Sequence, residues 1–514
     1  MFSLQTGLPL VFNIPSFDIS FTPELSCWTS SEIVSHLFGN GFFPVFPEIL
    51  EVKTFPYDAR GYGKLIKNIL ISSSSHKMLH TAFKNDLAKL SSFLGFTVHF
   101  TRVEPYPRDS KYMLFDNKVL KSNSIIPVDT QFIVRNIFNE EIQKLQATTR
   151  LGDSMGGKDF RYHYLGIDAN TIIESTLYLE GGNGFPAQNQ EGKRKHIVGN
   201  NIKQITISDW VKRYYAEKIS EASNELVLET KADLHEIYFH SLSQTVNRAI
   251  ENISEIASEK IKKIRLRLTK MGILDPEFPY STEQIEKFTK VYVAIRKLVK
   301  EKVFPIELET PKEDIIFLPQ YDYHIDCFMT LGPKGSVFMQ DFDLSLRVLN
   351  QIKDKAALLN LSHEDLDLLD KYLAKTQELA IELRDVVAKA KRKLEKHGVI
   401  VIPTPGNYFT DKEASTSDIL FLNAITGFSQ SEFYFITAGA ANKKSALGKI
   451  LMDTFTVFIR QYSFTSVYFI GRDPNNPEFF DPAISHANEL ATVGHFGIHC
   501  STYETESMPL SIMH

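Results

Sequence analysis

The 514-residue chain carries 57 Lys+Arg against 62 Asp+Glu, a formal charge of −5 with His neutral, and is 43% hydrophobic and 23% charged. Those proportions are globular, and they exclude global disorder, a collagen-like or low-complexity fibre, and the basic surplus expected of a nucleic-acid-binding domain. Cys27, Cys327 and Cys500 are too few for a disulfide framework, and no apolar run approaches the length of a membrane span. The opening stretch MFSLQTGLPLVF has no cationic run ahead of an apolar one, so a cytoplasmic protein is expected, with no membrane partner. A length of this order corresponds to about three average domains.

In chain order, residues 9–15 (PLVFNIP) and 42–52 (FFPVFPEILEV) read as strands. Leu87, Leu90 and Leu94 have helical spacing, Gly95 stops that helix, and residues 96–100 (FTVHF) alternate as a strand. The same order returns later. Leu366, Leu369, Leu373, Leu383, Val387, Ala390 and Leu394 mark one long amphipathic helix that stops at Gly398, before the buried strand VIVIP (399–403). Residues 450–462 then lead into a strand at 466–471 (SVYFIG). Helix, turn and strand recurring at wide intervals predict an α/β architecture of repeated modules.

Two stretches differ. Residues 208–303 read as helical, with Val246, Ile250, Ile253, Ala257, Ile261, Ile264 and Leu268 at three-four spacing opposite a charged face. Ser281 and Gln284 form a capping-box pattern ahead of a further helix. Residues 343–397 are the second such stretch. Each has the pattern of a helical hairpin or short coiled coil added to a core, either covering it or serving as an arm for a homo-oligomer or partner protein. The expected division is core at 1–207, helices at 208–303, core with a His-x-Asp strand at 304–342, helices at 343–397, and core again at 398–514.

Four segments set polar residues at strands or strand ends. YPRDSKYMLFDNKVL (106–120) opens with Arg108 and Asp109, and STLYLEGGNGF (175–185) delivers Glu180 to Gly181 and Gly182, ahead of Asn183. Glycines there let the backbone bend and approach a ligand. In YDYHIDCFMTLG (321–332), a strand would put His324 and Asp326 on one face and Ile325 and Cys327 on the other. GHFGIHCSTYE (494–504) places Cys500 beside His499 after a glycine segment. Singly, each is as readily a turn, a loop, a surface pair or a core thiol. No Cys-x-x-Cys or His-x-x-x-His spacing completes a zinc site.

Together and in this order, the four segments resemble the guanidine-modifying, or pentein, superfamily. YPRDSKYMLFDNKVL is similar to the Arg-Asp strand of arginine deiminases, and LEGGN to the Glu-Gly-Gly segment of arginine and agmatine deiminases. HIDCFM is similar to the His-x-Asp strand of the whole superfamily, and GIHCST to the nucleophile segment of agmatine deiminases. Protein-arginine deiminases and, more distantly, amidinotransferases share the pattern. The matching pieces lie within about residues 100–505, and the helical stretches and first 80 or so residues have no clear counterpart.

The resemblance implies a pentein-type α/β propeller of ββαβ modules about a pseudo-fivefold axis, with helical insertions. It implies a hydrolase acting on a guanidinium group, in which Cys500 attacks as thiolate and forms a covalent thiouronium-type intermediate. His324 would be acid and base, Asp109 and Asp326 would clamp the guanidinium, and Glu180 would orient His324 or complete the clamp, so the catalytic set is Cys500, His324, Asp326, Asp109 and Glu180. Gly181 and Asn183 would line the substrate beside Asp109, Asp326 and Glu180. Neither metal nor organic cofactor is needed. The chemistry fits the residues, because a carboxylate takes two parallel N–H bonds from a planar cation and the thiolate is the nucleophilic form of sulfur. His499 adjoins Cys500 and would face the opposite side of a strand, which favours His324 as the base. Amidino transfer by the same site and a non-catalytic scaffold are the alternatives, and the substrate, from agmatine through free arginine to protein arginine, stays open.

Overall fold

A computed structural model of the chain describes residues 66–72, 77–101, 112–115, 118–122, 172–178, 181–223, 242–270, 273–274, 276–277, 279–321, 324–332, 335–410, 419–429, 432–439, 446–462, 466–473, 476–480 and 502–506. The strands expected at 9–15 and 42–52 lie outside these residues.

Strand β1 (Ile66–Ser72) is followed by helix α1 (Lys77–Leu94), which buries Leu87, Leu90 and Leu94. Gly95, at φ +78°, ends it by donating to the Ser91 carbonyl, and β2 (Thr97–Thr101) then pairs parallel to β1. Strands β3 (Tyr112–Phe115) and β4 (Lys118–Ser122) form a hairpin, with β5 (Ile172–Ser175) parallel to β4. The next hairpin joins β6 (Gly184–Gln188) to β7 (Arg194–Gly199). Its turn is built by Asn189, whose Oδ1 accepts from the Glu191 and Lys193 amides, and by Gly192 at φ +76°.

Helices α2 (Asn200–Ser223), α3 (Leu242–Glu251), α4 (Ser258–Lys270) and α5 (Thr282–Leu298) come next. The helical run continues through a wide turn at Val299–Val303, and β8 (Ile315–Leu318) then returns parallel to β7. The capping box forms as expected, with the Gln284 amide donating to Ser281 Oγ and the Ser281 amide to Gln284 Oε1. The continuous periodicity from Val246 to Leu268 is interrupted between α3 and α4, where Asn252 turns its side chain back onto the Arg248 carbonyl and closes α3.

Strands β9 (Met329–Leu331) and β10 (Ser336–Gln340) form an antiparallel pair. Helices α6 (Phe342–Asp354), α7 (His363–Glu382) and α8 (Arg384–Lys396) lead to β11 (Ile400–Thr404), parallel to β10. The long helix expected over 366–394 is two helices meeting at Leu383. The break lets Leu379, Ala380, Leu383 and Val387 pack beside Phe342, while Ala390 and Leu394 reach the sheet core with Val399 and Val401. A short pair, β12 (Asn407–Tyr408) and β13 (Ile419–Leu420), follows.

Strands β14 (Ile425–Ser429) and β15 (Glu432–Ala438), helix α9 (Ala446–Arg460) and β16 (Ser466–Ile470) repeat the hairpin, helix and parallel strand. A hairpin of β17 (Arg472–Asp473) and β18 (Asn476–Phe480) comes before β19 (Thr502–Glu506), which pairs antiparallel with β1. The protein is thus a mixed α/β structure of small sheets, none of which closes on itself among the described residues. Among the described residues, five three-stranded sheets share one pattern: a central strand with one antiparallel and one parallel neighbour. Antiparallel partners need only a short turn, whereas parallel ones need a crossover, and α1, α2 to α5, α6 to α8 and α9 lie in four of the five crossovers.

The helices within 208–303 and 343–397 have buried faces. Trp210, Val246, Leu268, Phe288 and Tyr292 form one cluster with the sheet residues Val198 and Phe317. Leu344, Val348 and Tyr372 join Phe338 of β10, Phe435 of β15 and Phe455 of α9 in another. Among the described residues, no helix is long and apolar enough to cross a membrane.

Candidate functional site

The His324-x-Asp326 segment is not a strand. His324 is extended, at φ −120° and ψ 154°, and Ile325–Cys327 form a single 3-10 turn before β9 begins at Met329. The turn forms because the Ile325 amide, which a strand would spend on a neighbour, donates to Asn183 Oδ1 at 3.1 Å. The Phe328 amide closes the turn on the Ile325 carbonyl. His324 is 2% exposed and Asp326 1%, so both sit inside the fold. Cys327, expected on the opposite face, instead donates its thiol to Asp326 Oδ1 across 3.7 Å.

A second 3-10 turn, Gly181–Asn183, lies directly against the first. A Cβ at Gly182 would stand 2.7 Å from His324 Nδ1 and 2.9 and 3.0 Å from the Asp326 carboxylate oxygens. Only glycine permits that approach. Two of the four chemistry-bearing segments, far apart in sequence, therefore meet at a buried imidazole, a buried carboxylate and a glycine backbone. Asp109, Glu180 and Cys500 lie outside the described residues, as do Arg108 and His499. Nearby backbone is described on each side: β3 starts at Tyr112, and β19 starts at Thr502.

Asn183 has a supporting place at the Ile325–Cys327 turn. It is fully buried, and its side-chain oxygen accepts from the Ile325 amide and from Gln320 Nε2. Gln320 Oε1 in turn accepts from the Asn201 amide at the start of α2. Gly199 leaves room for this link, since a Cβ there would meet Asn183 Oδ1 and Gln320 Oε1 at 2.6 Å each. Asn183 thus holds the His324–Cys327 turn from below.

From the other side, Asn423 Nδ2 donates to the Asp326 carbonyl and Asn407 Nδ2 to the Cys327 carbonyl, at 3.2 and 2.7 Å. Asn407 is itself held through its amide by Gln340 Oε1, which also accepts from Gly406. Asn183, Asn407 and Asn423 are all fully buried. Amides suit this task because each carries both donors and an acceptor without the desolvation cost of a charge. Glu307 does a related job for the strand end leading to Gly181: its carboxylate accepts from the Thr176 amide and from the Ser175 and Thr176 hydroxyls. Sequence reading missed Gln320, Asn407, Asn423, Gln340 and Glu307. The available signal was a polar residue inside or beside an apolar run, as in SVFMQ and LFLNAI.

The sheet beneath carries buried charge. Lys195 and Lys193 both reach Asp314, at 2.5 and 2.9 Å. Burial pushes the Asp314 carboxyl up, and the two lysine hydrogen bonds outweigh it and hold it below the ordinary carboxylate range. His196 pairs through Nδ1 with Thr310 Oγ1 at 2.8 Å, and burial, aided by repulsion from Arg194, drives its pKa down to about 3. Among the described residues, no group of three or more His, Cys, Asp and Glu could hold a metal.

No family model matches the chain, and no curated protein matches it. Among solved structures, agmatine deiminase of C. jejuni is similar to it with a TM-score of 0.31 and 12% identity, over 87% of this chain and 95% of that one.

Proposed function

We propose that the chain is a guanidine-modifying hydrolase of the deiminase type, built on a pentein propeller. The observation that carries this reading is the seating of Gly182 against His324 and Asp326, which unites the Glu-Gly-Gly and His-x-Asp segments in one buried site. The five sheets of common pattern support the modular core, and the pairing of β19 with β1 suits a ring whose last strand completes its first module. On this reading, the helical stretches at 208–303 and 343–397 are insertions that cover the ring.

In the proposed reaction, Asp326 and Asp109 accept N–H bonds from the planar cation, and the Cys500 thiolate attacks its central carbon. The tetrahedral adduct collapses, the carbon–nitrogen bond breaks, and ammonia leaves with a proton from His324. Neutral His324 then takes a proton from water, which attacks the thiouronium carbon. A ureido product departs and the thiolate is restored. One guanidinium and one water thus give one urea group and one ammonium. Glu180 orients His324 or completes the clamp.

The test is ammonia and ureido product from the purified chain given agmatine, free arginine and an arginine-containing peptide, with a Cys500→Ala protein alongside. Product from one substrate that disappears with Cys500→Ala supports the reading and identifies the substrate class. Wild-type turnover by Cys500→Ala removes the nucleophile assignment, and silence on all three substrates rejects hydrolysis in favour of amidino transfer or a non-catalytic scaffold.

A further inference from the structure

The start of α2 runs against two electrostatic preferences. A helix N-terminus carries partial positive charge and favours anions, yet the first turn here has no acidic residue and Lys203 occupies its fourth position. Lys203 is half-buried, its ammonium hydrogen-bonds the Asn200 side chain, and it lies 5.3 Å from the centroid of the Phe317 ring. The ammonium of Lys300, from the wide turn after α5, lies 5.8 Å from the same centroid.

Arg267 of α4, Arg296 of α5 and Lys393 of α8 complete the group, and with Lys300 they repel the charge on Lys203. Burial and these four cations push the Lys203 pKa down to about 7. Burial, Lys300 and Lys396 lower that of Lys393 as well. Among the described residues, none of Lys203, Arg267, Arg296, Lys300 and Lys393 pairs with a carboxylate.

We propose that this cluster binds a phosphate group carried by a small molecule, a nucleotide or an inorganic polyphosphate. Broken local rules mark functional positions, and here the Asn200 oxygen and the Phe317 ring are neutral, so an anion would supply the counter-charge that the cluster lacks. Two of these cations, Lys203 and Lys300, come from separate elements and face one aromatic ring, which suits a compact multivalent anion better than a flat polyanionic surface. Phosphate oxygens accept from ammonium and guanidinium donors together. The proposal does not depend on the deiminase reading.

The test is calorimetric and thermal titration of the full chain with orthophosphate, tripolyphosphate and ATP at constant ionic strength, with sodium chloride as control. Saturable binding of at least one phosphate compound is expected, with a rise in Tm that chloride does not reproduce. Tighter binding of ATP than of tripolyphosphate points to a nucleotide, and parity points to the phosphate chain alone. Lys300→Gln and Lys393→Gln each remove a repelling cation, so the ligand-free protein keeps or gains Tm while its affinity falls about tenfold. That opposition of signs separates a binding role from a packing role. Near neutrality, binding should also draw a proton onto Lys203, and Lys203→Gln should remove this uptake. The proposal is overturned if no phosphate compound gives saturable heat, if chloride reproduces the Tm rise, or if both glutamine variants bind with wild-type affinity.

Discussion

Gly182→Ala is the sharpest perturbation of the site. The backbone there is not in the left-handed region, so alanine adds a contact without a conformational penalty. The new methyl would lie 2.7 Å from His324 Nδ1 and 2.9 Å from Asp326 Oδ2, where ordinary contacts begin at 3.4 Å. The imidazole, the carboxylate or the Gly181–Asn183 turn must therefore retreat by roughly 0.5–1 Å, as close packing gives no free space. His324 and Asp326 are 2% and 1% exposed, so movement means repacking the interior. Overpacking of this kind costs about 1–3 kcal/mol. A displacement near 1 Å in a catalytic pair lowers turnover by on the order of 100-fold. The measurements are Tm and product release beside wild type, with Gly192→Ala for comparison, where the cost is backbone strain at φ +76° with nothing within 4 Å of the added methyl, so a fall in Tm there should leave turnover unchanged. A Gly182→Ala protein with wild-type Tm refutes the packing geometry. One that is destabilised yet turns over at the wild-type rate refutes the assignment of His324 and Asp326 to the reaction.

Asn183→Leu removes the acceptor for the Ile325 amide and Gln320, and should cost about 1–3 kcal/mol in chemical denaturation. Asn183→Asp keeps an oxygen there but buries a carboxylate, so its loss should shrink as pH falls while that of Asn183→Leu should not, and an equal pH response from both would contradict the acceptor role. Asp314→Asn leaves buried Lys195 without its counter-charge and should destabilise by about 3–5 kcal/mol. Because the folded carboxyl titrates below its unfolded value of about 3.9, its contribution is complete above that pH and is lost as pH falls through the folded value. His196 behaves differently: with a folded pKa of about 3 against the ordinary 6.5, the unfolded chain takes the proton first, so stability should rise with pH across that window. His196→Gln should flatten this slope in denaturation series between those limits, and an unchanged slope would show that His196 is not the group responsible.

Where side-chain spacing alone decides structure, the sequence was legible. Leu87, Leu90 and Leu94 face the interior as their period requires, Gly95 ends their helix, and Ser281 with Gln284 caps another. Repeated modules were visible as helix–turn–strand texture, but the pairing of β1 with β19 was not, since nothing local in either strand names its partner. At the site, His324 and Asp326 were recognised as residue types and given the wrong backbone. Alternation predicts a strand only while the amides find strand partners, and here Asn183 takes the Ile325 amide first. Asn407 and Asn423 were unread for a similar reason: a single buried asparagine has no period, and its meaning lies in which distant carbonyl it meets.

The union of β1 with β19 also has a consequence for biosynthesis. A ribosome releases Ile66–Ser72 early and Thr502–Glu506 near the end of the described chain. Domains tend to fold as they emerge, but this sheet cannot be finished that way. Through most of translation, one edge of β1 shows unpaired amides and carbonyls, the kind of surface that recruits foreign strands. The elements between them can settle while that edge waits, so among the described strands the antiparallel partner of β1 is added last.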